Sequence, residues 1–339
     1  MLNNKSILVT GGTGTFGKAF VNYVLKNYPD VKRLVVYSRD EQKQFLMDQE
    51  FPQNEYPALR YFVGDVRDFD RLKRALSEID YVVHAAAMKH VHIAEYNPDE
   101  CVKTNINGAE NVINACLETD VKKVVALSTD KACSPINLYG ATKLTSDKLF
   151  IAANNLTGKK SLTFSVVRYG NVFGSNGSVA PFFLKKRKEG VLPITSPDMT
   201  RFNITIEEGI KMVLHTFEHS WGGELLVPKI PSFKVTDLAE AIAPECEQKI
   251  IGLRPGEKIH EEMISRSDSY YTYDLGEYYS IIPNKRKWKL SDYIDHFEAK
   301  EVKNGFKYSS GNNEEWETVE SLREMVKKHV DPEFELVSD

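Results

Sequence analysis

The chain has 339 residues, of which 42% are hydrophobic and 27% charged, a composition that is ordinary for a globular protein with a sizeable core. Its net charge of −4 lacks the basic excess of nucleic-acid-binding proteins. No apolar run reaches the length of a membrane span, and residues 1–5 lead directly into the first strand without room for a signal peptide. We therefore expect a cytoplasmic protein with no nucleic-acid and no membrane partner.

The amino terminus has the pattern of a strand, a glycine turn and a helix. An apolar run at residues 6–10 predicts a buried strand, and apolar residues at helical spacing follow from Phe16. Glycines at positions 11, 14 and 17 permit a tight turn and close approach of the backbone to a pyrophosphate, which the helix amino end attracts. The predicted dinucleotide-binding residues here are Gly11, Thr13, Gly14, Thr15, Phe16 and Gly17.

The second predicted strand, residues 33–37, ends in polar residues that bear on the choice of cofactor. Ser38, Arg39 and Asp40 follow it, and Lys43 lies one helical turn further. An acid at this position binds the ribose hydroxyls of NAD, whereas an arginine accommodates the extra phosphate of NADP. Ser38, Arg39 and Lys43 therefore favour NADP. Asp40 has two interpretations, because it could cap the following helix or bind ribose.

Strands and helices then alternate as a doubly wound sheet requires. Further strands are predicted at 59–63, 81–84, 124–127 and 163–167, and helices at 41–50, 69–76, 98–117 and from Tyr139 to about 154. Ligands of such sheets bind at the carboxyl ends of the strands. Candidate cofactor contacts at these ends are Asp65, Val66, Ala85, Ala86 and Val172.

The regular alternation breaks after Asn171, where we expect a smaller second lobe. A helix is predicted over 178–190, an extended segment over 193–195, and an amphipathic helix over 206–217 that returns to the first lobe. The mixed charge of the last predicted helix, 319–329, indicates a solvated surface element. The predicted fold class is α/β, a Rossmann-like doubly wound parallel sheet with a smaller α/β substrate-binding lobe. Residues 1–170 form the NADP-binding domain with a return around 201–230, and 171–200 with 231–339 form the substrate lobe and C-terminal extension.

The most informative polar residues lie near the end of the strand at 124–127. Thr129, Asp130 and Lys131 follow this strand, and Tyr139 and Lys143 begin the next helix. Residues four apart share one face of a helix, so we expect Lys143 to favour the Tyr139 phenolate and make it a usable base. A hydrophobic core needs none of these groups.

Metal chemistry is not expected. The four cysteines, at 101, 116, 133 and 246, have no paired metal spacing and suit free thiols. His90 and His92 lack a third ligand.

Together these motifs resemble the extended short-chain dehydrogenase/reductases that act on nucleotide sugars. The closest resemblance is to the inverting UDP-N-acetylglucosamine 4,6-dehydratases that begin pseudaminic acid synthesis, and it covers nearly the whole chain. It rests on segments 38–41, 84–91, 129–132, 135–143, 198–202 and 254–258. Many related 4,6-dehydratases have glutamate at the position of Lys131, and some UDP-sugar members have methionine at the position of Tyr139.

The resemblance implies a hydro-lyase that forms UDP-2-acetamido-2,6-dideoxy-β-L-arabino-hexos-4-ulose by transient oxidation with bound NADP. Tyr139, with Lys143, would take the carbon 4 hydroxyl proton, and Thr129 would hydrogen-bond that oxygen. Lys131 would be the base at carbon 5 and Asp130 the acid at the carbon 6 hydroxyl. An adjacent acid and base of this kind need pKa values moved from their ordinary values.

The same resemblance implies the residues that hold the UDP-sugar. They are Lys89, Asn171, Val179, Thr195, Met199, Arg201, Arg254 and Glu257, of which Lys89 also belongs to the cofactor site. Arg201 and Arg254 suit a pyrophosphate because a guanidinium binds phosphate oxygens in pairs. Each arginine could instead form a structural salt bridge. Glu257 would contact the uridine ribose.

Two other functions stay open on sequence grounds. A nucleotide-sugar 4-epimerase or reductase shares the glycine turn and the Tyr139–Lys143 pair but does not need Asp130 and Lys131, because no hydroxyl leaves carbon 6. A non-catalytic NADP-sensing protein shares the fold but usually lacks the tyrosine. Relatives form dimers or hexamers, so we expect a homo-oligomer. The glycan pathway, an additional epimerase activity and the group that reprotonates carbon 5 (Lys131, Tyr139 or water) stay open.

Overall fold

The computed structural model describes residues 1–175 and 177–336, so the last three residues of the predicted C-terminal extension lie outside the described part. The strands are β1 (Ser6–Thr10), β2 (Arg33–Ser38), β3 (Leu59–Val63), β4 (Tyr81–His84), β5 (Lys123–Thr129), β6 (Thr163–Tyr169), β7 (Asn171–Val172), β8 (Val191–Ile194), β9 (Thr200–Ile204), β10 (Leu225–Pro228), β11 (Ser232–Lys234), β12 (Glu247–Ile250), β13 (Glu262–Ile264), β14 (Thr272–Asp274), β15 (Tyr278–Ile281), β16 (Lys300–Glu301) and β17 (Tyr308–Ser309). The α-helices are α1 (Thr15–Asn27), α2 (Glu41–Glu50), α3 (Phe69–Ala75), α4 (Val91–Tyr96), α5 (Pro98–Val102), α6 (Gly108–Leu117), α7 (Leu138–Ala153), α8 (Val179–Lys186), α9 (Ile206–His219), α10 (Val235–Ile242), α11 (Leu290–Phe297) and α12 (Val319–His329).

A ten-stranded sheet forms the centre of the fold. Its order is β16-β14-β15-β10-β6-β5-β4-β1-β2-β3. The strands from β10 to β3 pair in parallel, and β15, β14 and β16 continue the sheet antiparallel. The run β3-β2-β1-β4-β5-β6 is the strand order of doubly wound dinucleotide-binding sheets. The predicted α/β fold class is confirmed.

Burial along the central strands shows that helices cover the sheet on both faces. All residues of β1 are buried, and in β2 and β6 only the first residue is partly exposed. Burial is continuous along these strands, whereas a strand with one face in solvent would alternate buried and exposed residues. Both α7 and α9 contact β5 and β6, and α9 also packs on α1. The helix predicted at 206–217 thus packs on elements that lie within residues 1–170.

A second hydrophobic cluster lies outside the sheet and joins α8, β8, α10 and α12. Leu322 and Val326 of α12 are fully buried in this cluster, and α12 packs against α10. Helix α12 therefore has the solvated charged side that the sequence predicts and also a buried apolar side, because two apolar residues four apart face the core while the charges lie elsewhere on the helix. Residues 272–301 supply β14, β15 and β16 to the main sheet. The assignment of 231–339 to the substrate lobe stays a prediction.

Candidate active site

A cleft of about 950 Å³ opens at the carboxyl ends of the central parallel strands. This is the size of a cavity that encloses a small-molecule ligand, and its place is the one expected for a doubly wound sheet. The predicted site residues that line it are Gly11, Thr13, Gly14, Thr15, Phe16, Gly17, Ser38, Arg39, Asp40, Lys43, Val66, Ala85, Ala86, Lys89, Thr129, Asp130, Lys131, Tyr139, Lys143, Asn171, Val172, Arg254 and Glu257. Five predicted residues are not in its lining: Asp65, Val179, Thr195, Met199 and Arg201.

The glycine turn between β1 and α1 leaves the backbone open to a ligand. Gly11 has φ +65°, and a Cβ there would lie 2.9 Å from the backbone nitrogen of Ala86. A Cβ on Gly17 would lie 2.5 Å from Cα of Gly12, so the helix packs directly on the turn. No side chain caps the amino end of α1. Free amides at a helix amino terminus beside a closely approached backbone fit the pyrophosphate of a dinucleotide.

The end of β2 presents two cations to the same cleft. The side chains of Arg39 and Lys43 are 54% and 64% exposed. Asp40 Oδ1 accepts a hydrogen bond from the backbone nitrogen of Lys43 at 3.0 Å, so the interpretation of Asp40 as a helix cap is confirmed. Asp65 is held mainly by Arg67, whose Nη2 lies 2.8 Å from Oδ2, and Arg39 Nη1 lies 3.8 Å from the same oxygen.

The loop after β5 forms a buried polar cluster. A 3-10 turn at Asp130–Ala132 begins where β5 ends, and Thr129 Oγ1 accepts a hydrogen bond from the Lys131 backbone nitrogen at 3.3 Å. Asp130 Oδ1 accepts hydrogen bonds from Thr129 Oγ1 at 2.9 Å and from Lys131 Nζ at 3.0 Å. Asp130 is fully buried, and its Oδ2 has no hydrogen-bond partner among the residues that the structure describes. The predicted acid and base are therefore in direct contact.

Glu261, which immediately precedes β13, joins this cluster. Its Oε1 lies 3.3 Å from Lys131 Nζ and 4.0 Å from Arg201 Nε, and its side chain is 3% exposed. No local motif in the sequence predicts this contact, because 130 positions separate Glu261 from Lys131. Lys131 thus has two carboxylate partners.

The charges of this cluster follow from burial and mutual attraction. Burial raises the pKa of Asp130, which is the direction that a general acid requires. Burial alone lowers the pKa of Lys131, but Asp130 and Glu261 outweigh it and raise the pKa above its ordinary value. For Glu261, Lys131 and Arg201 outweigh burial and lower the pKa. Lys131 therefore rests as an ammonium, the opposite of the form that a base needs.

Tyr139 and Lys143 lie together on α7 as the spacing predicts, and both side chains are buried. Burial raises the pKa of Tyr139 to about 12, against the lowering effects of Lys131 and a Thr129 hydrogen bond. For Lys143, burial has the opposite effect and lowers the pKa, because it disfavours the charged ammonium. The expected lowering of the Tyr139 pKa by Lys143 is not what the structure shows, since desolvation dominates and Lys131 is the main nearby cation.

The two predicted phosphate-binding arginines lie in different surroundings. Arg254 lines the cleft and pairs with Glu257 at 3.4 Å, while Glu257 Oε2 is buried with no hydrogen-bond partner in the described chain. Arg201 lies behind the cleft lining, where Nη1 donates to the carbonyls of Thr200 at 2.7 Å and Ile259 at 3.0 Å. Arg254 is therefore placed for a ligand in the cleft, whereas Arg201 is held by protein groups.

Three other predicted residues outside the cleft lining lie in the segment between β7 and β9. Met199 is buried in the second hydrophobic cluster, and Val179 packs against it at the start of α8. Thr195, which follows β8, is partly exposed. Their predicted contact with a ligand stays a prediction.

The structure also adds residues that the sequence pattern did not identify. The helix predicted over 98–117 contains a π-helical turn at Lys103–Asn107, a feature that often occurs at functional sites. Thr104 in this turn lines the cleft. Asn105 accepts a hydrogen bond from the Met88 nitrogen at 2.8 Å and donates one to its carbonyl at 3.0 Å. Asn105 thereby fixes the loop that carries Lys89. Other added lining residues include Tyr37, Met88, His90, His92, Ser128, Tyr169 and Ser178.

Across 1–175 and 177–336, no group of His, Cys, Asp and Glu side chains is arranged to hold a metal ion. Within the same ranges, no helix combines the length and apolar character needed to cross a membrane.

Relatives of known activity match nearly the whole chain. The UDP-N-acetylglucosamine 4,6-dehydratase (inverting) of Campylobacter jejuni is 56% identical over 332 residues, covering 96% of this chain and 98% of the relative. The UDP-glucose 4-epimerase of Rickettsia conorii is 39% identical and covers 88% of this chain and 89% of its own length. The X-ray structure of Pen from Bacillus thuringiensis has a TM-score of 0.86 at 38% identity, with 97% of this chain and 98% of that chain covered. The resemblance predicted from the motifs is confirmed.

The part of the chain that matches a protein family contains the cleft and most of the main sheet. Residues 7–283 match the family described as "Polysaccharide biosynthesis protein". This range begins within β1 and ends just beyond β15, and it includes the glycine turn, the Asp130–Lys131 loop and Glu261. The chain therefore belongs to the polysaccharide biosynthesis protein family.

Proposed function

We propose that the chain is an NADP-dependent UDP-N-acetylglucosamine 4,6-dehydratase, a hydro-lyase that inverts carbon 5. The observation that carries the proposal is the buried contact between Asp130 and Lys131 in the cleft that also holds Tyr139. An epimerase or a simple reductase does not need this pair. The 56% identity to the inverting dehydratase of Campylobacter jejuni supports the same reaction. The product would then serve pseudaminic acid-type synthesis in the cytoplasm, made by a homo-oligomeric enzyme.

The glycine turn and the end of β2 would hold the cofactor. The free amides at the start of α1 would bind the pyrophosphate, and Arg39 with Lys43 would supply positive charge for the extra phosphate of NADP. Bound NADP would take a hydride from carbon 4 and return one to carbon 6. Lys143 and Lys89 complete the cofactor end of the cleft.

Tyr139 and Thr129 would act on the carbon 4 hydroxyl. The Tyr139 phenol is buried in the cleft wall, where Thr129 hydrogen-bonds it. The positive charge of Lys131 lowers the Tyr139 pKa and opposes the effect of burial. Tyr139 would act in its phenolate form, which Lys131 and Thr129 favour, and would receive the hydroxyl proton when carbon 4 becomes a ketone. The ketone makes the carbon 5 proton acidic.

Asp130 and Lys131 would then remove water across carbons 5 and 6. Their contact provides a route to the required charge states. Lys131 Nζ lies 3.0 Å from Asp130 Oδ1, so the ammonium can pass a proton to the carboxylate along this hydrogen bond. This transfer leaves a neutral amine as the base at carbon 5 and a carboxylic acid for the carbon 6 hydroxyl. The pair holds one proton before and after this transfer. Burial favours the neutral amine and the neutral carboxylic acid over the two ions.

The UDP part of the substrate would occupy the open end of the cleft. Arg254 would bind the pyrophosphate and Glu257, through its unpartnered Oε2, the uridine ribose. Asn171 and Lys89 lie on the same lining. The proposed contacts also include Val179, Thr195, Met199 and Arg201, which lie outside the cleft lining.

The cofactor preference gives a direct prediction. Arg39→Ala removes a charge-assisted contact to the extra phosphate, worth about 1.5–3 kcal/mol. NADP binding should weaken by about 10- to 150-fold, whereas NAD binding should change little. Isothermal titration calorimetry with oxidised NADP and with oxidised NAD measures both affinities. Arg74→Ala, at an exposed arginine of α3, is the control and should change neither. An equal loss for both cofactors would remove Arg39 from the phosphate site.

The activity itself is tested with purified protein, NADP and UDP-N-acetylglucosamine. Proton NMR of the sugar distinguishes the proposed function from its alternatives. A dehydratase produces a new carbon 6 methyl signal with no net reduction of the cofactor. A 4-epimerase would give the galacto sugar with an intact hydroxymethyl group, and a sensing protein would leave the substrate unchanged.

A further inference from the structure

Glu261 is fixed in an unusual position for an acidic residue. Its backbone nitrogen donates to Ser310 Oγ at 2.9 Å, and its carbonyl accepts from the Ser310 nitrogen at 2.9 Å. The side chain points into the protein, where Oε1 lies 3.3 Å from Lys131 Nζ. Oε2 is buried and has no hydrogen-bond partner within the described residues.

A purely structural ion pair would explain this arrangement poorly. Burying a carboxylate costs several kcal/mol, and a stabilising pair requires hydrogen bonds to both oxygens. Glu261 satisfies one oxygen by contacts with Lys131 and Arg201, at 3.3 and 4.0 Å, and leaves the other unsatisfied. A buried carboxylate that leaves one oxygen without a hydrogen-bond partner next to the reactive pair points to a role in the chemistry.

We propose that Glu261 is a positioning residue, whose negative charge anchors Lys131 and sets the protonation of the Asp130–Lys131 pair. The proposal rests on the proposed dehydratase function. It assigns Glu261 no contact with the substrate, since Glu261 is not in the cleft lining. The negative charge of Glu261 opposes loss of the single proton that Asp130 and Lys131 share, whichever of the two carries it.

The working form of the pair holds one proton, so activity requires the pH to lie between two macroscopic pKa values. At low pH the pair takes up a second proton, and at high pH it loses its last one. The charged and titratable groups that face Lys131 are Asp130, Glu261, Arg201 on β9 and Tyr139 on α7. Among them Glu261 raises the pKa of both Asp130 and Lys131.

Glu261→Gln therefore should move the whole pH profile of turnover toward acid. Removing a negative charge lowers the pKa of both members of the pair, so the rising and the falling limb should each shift by about one pH unit or more. Glu261→Asp keeps the charge and should hold the limbs near their wild-type positions. A role limited to packing would change the amplitude of the profile and leave both limbs in place.

Glu262→Gln is the matched control. Glu262 is the next residue, but its carboxylate pairs with Lys307 at 2.6 Å and accepts from Ser134 at 3.3 Å rather than facing Lys131. This variant loses the same charge from the neighbouring position, and its limbs should stay where they are in the wild type. Thermal unfolding of all variants shows whether each is folded over the pH range used.

A readout without turnover separates failure of this proposal from failure of the proposed function. Aspartate labelled with ¹³C at Cγ reports the Asp130 charge by NMR, and its signal is assigned by its loss in Asp130→Asn. In Glu261→Gln, Asp130 should titrate at lower pH than in the wild type. An unchanged titration together with unmoved limbs would overturn the role of Glu261. Absence of a methyl product in the wild type would overturn the dehydratase instead.

Discussion

Asp130→Asn should lose most dehydratase turnover, by about 10²–10⁴-fold, because an amide cannot protonate the departing carbon 6 hydroxyl. Asp130 is fully buried and directly contacts Lys131 and Thr129. The asparagine has nearly the same size and can still accept hydrogen bonds from both. Binding of NADP and substrate, followed by calorimetry, should therefore persist while formation of the methyl product nearly stops.

The comparison that isolates Asp130 uses a second aspartate. Asp120→Asn changes an exposed residue just before β5 and should keep wild-type turnover. Near wild-type methyl formation by Asp130→Asn would exclude Asp130 as the acid. Loss of substrate binding in that variant would indicate a structural role for Asp130 rather than proton transfer.

Lys131→Ala should abolish exchange of the carbon 5 proton with deuterated solvent and reduce turnover by a factor of similar size, about 10²–10⁴. The variant also leaves the buried carboxylates of Asp130 and Glu261 without their shared cation. Breaking a buried pair in this way costs about 3–5 kcal/mol, so its thermal stability should fall as well.

A double variant separates the two effects of losing Lys131. In Lys131→Ala with Glu261→Gln, one of the two unpaired buried carboxylates becomes neutral, and part of the lost stability should return. Deuterium exchange at carbon 5 should stay absent. Recovery of exchange together with stability would show that Lys131 supports the fold and is not the base.

The features that could be predicted from sequence are those determined by neighbouring residues. β1, the glycine turn and α1 follow from an apolar run, three glycines and a helical period within about twenty positions. The Asp40 cap and the Tyr139–Lys143 spacing are equally local. These patterns located the cleft because parallel strands bring their carboxyl ends to one edge of the sheet.

The features that could not be predicted depend on contacts between distant segments. Glu261 reaches Lys131 only because the segment before β13 packs on the turn that follows β5. The direction of the Tyr139 pKa depends on burial, which the helical spacing does not reveal. The position of Arg201 behind the cleft likewise depends on the carbonyls of Thr200 and Ile259, the second of which lies 58 positions away.

The proposed mechanism is tested most directly by running the wild-type reaction in deuterated water and recording proton NMR of the earliest product. Lys131 and Asp130 acting on opposite ends of the carbon 5–carbon 6 bond predict a carbon 6 methyl signal, deuterium at carbon 5 and the coupling constants of the L-arabino 4-keto ring. A D-xylo product, sampled before epimerisation in solution, would contradict inversion at carbon 5. A product that keeps its carbon 6 hydroxymethyl group would contradict dehydration altogether.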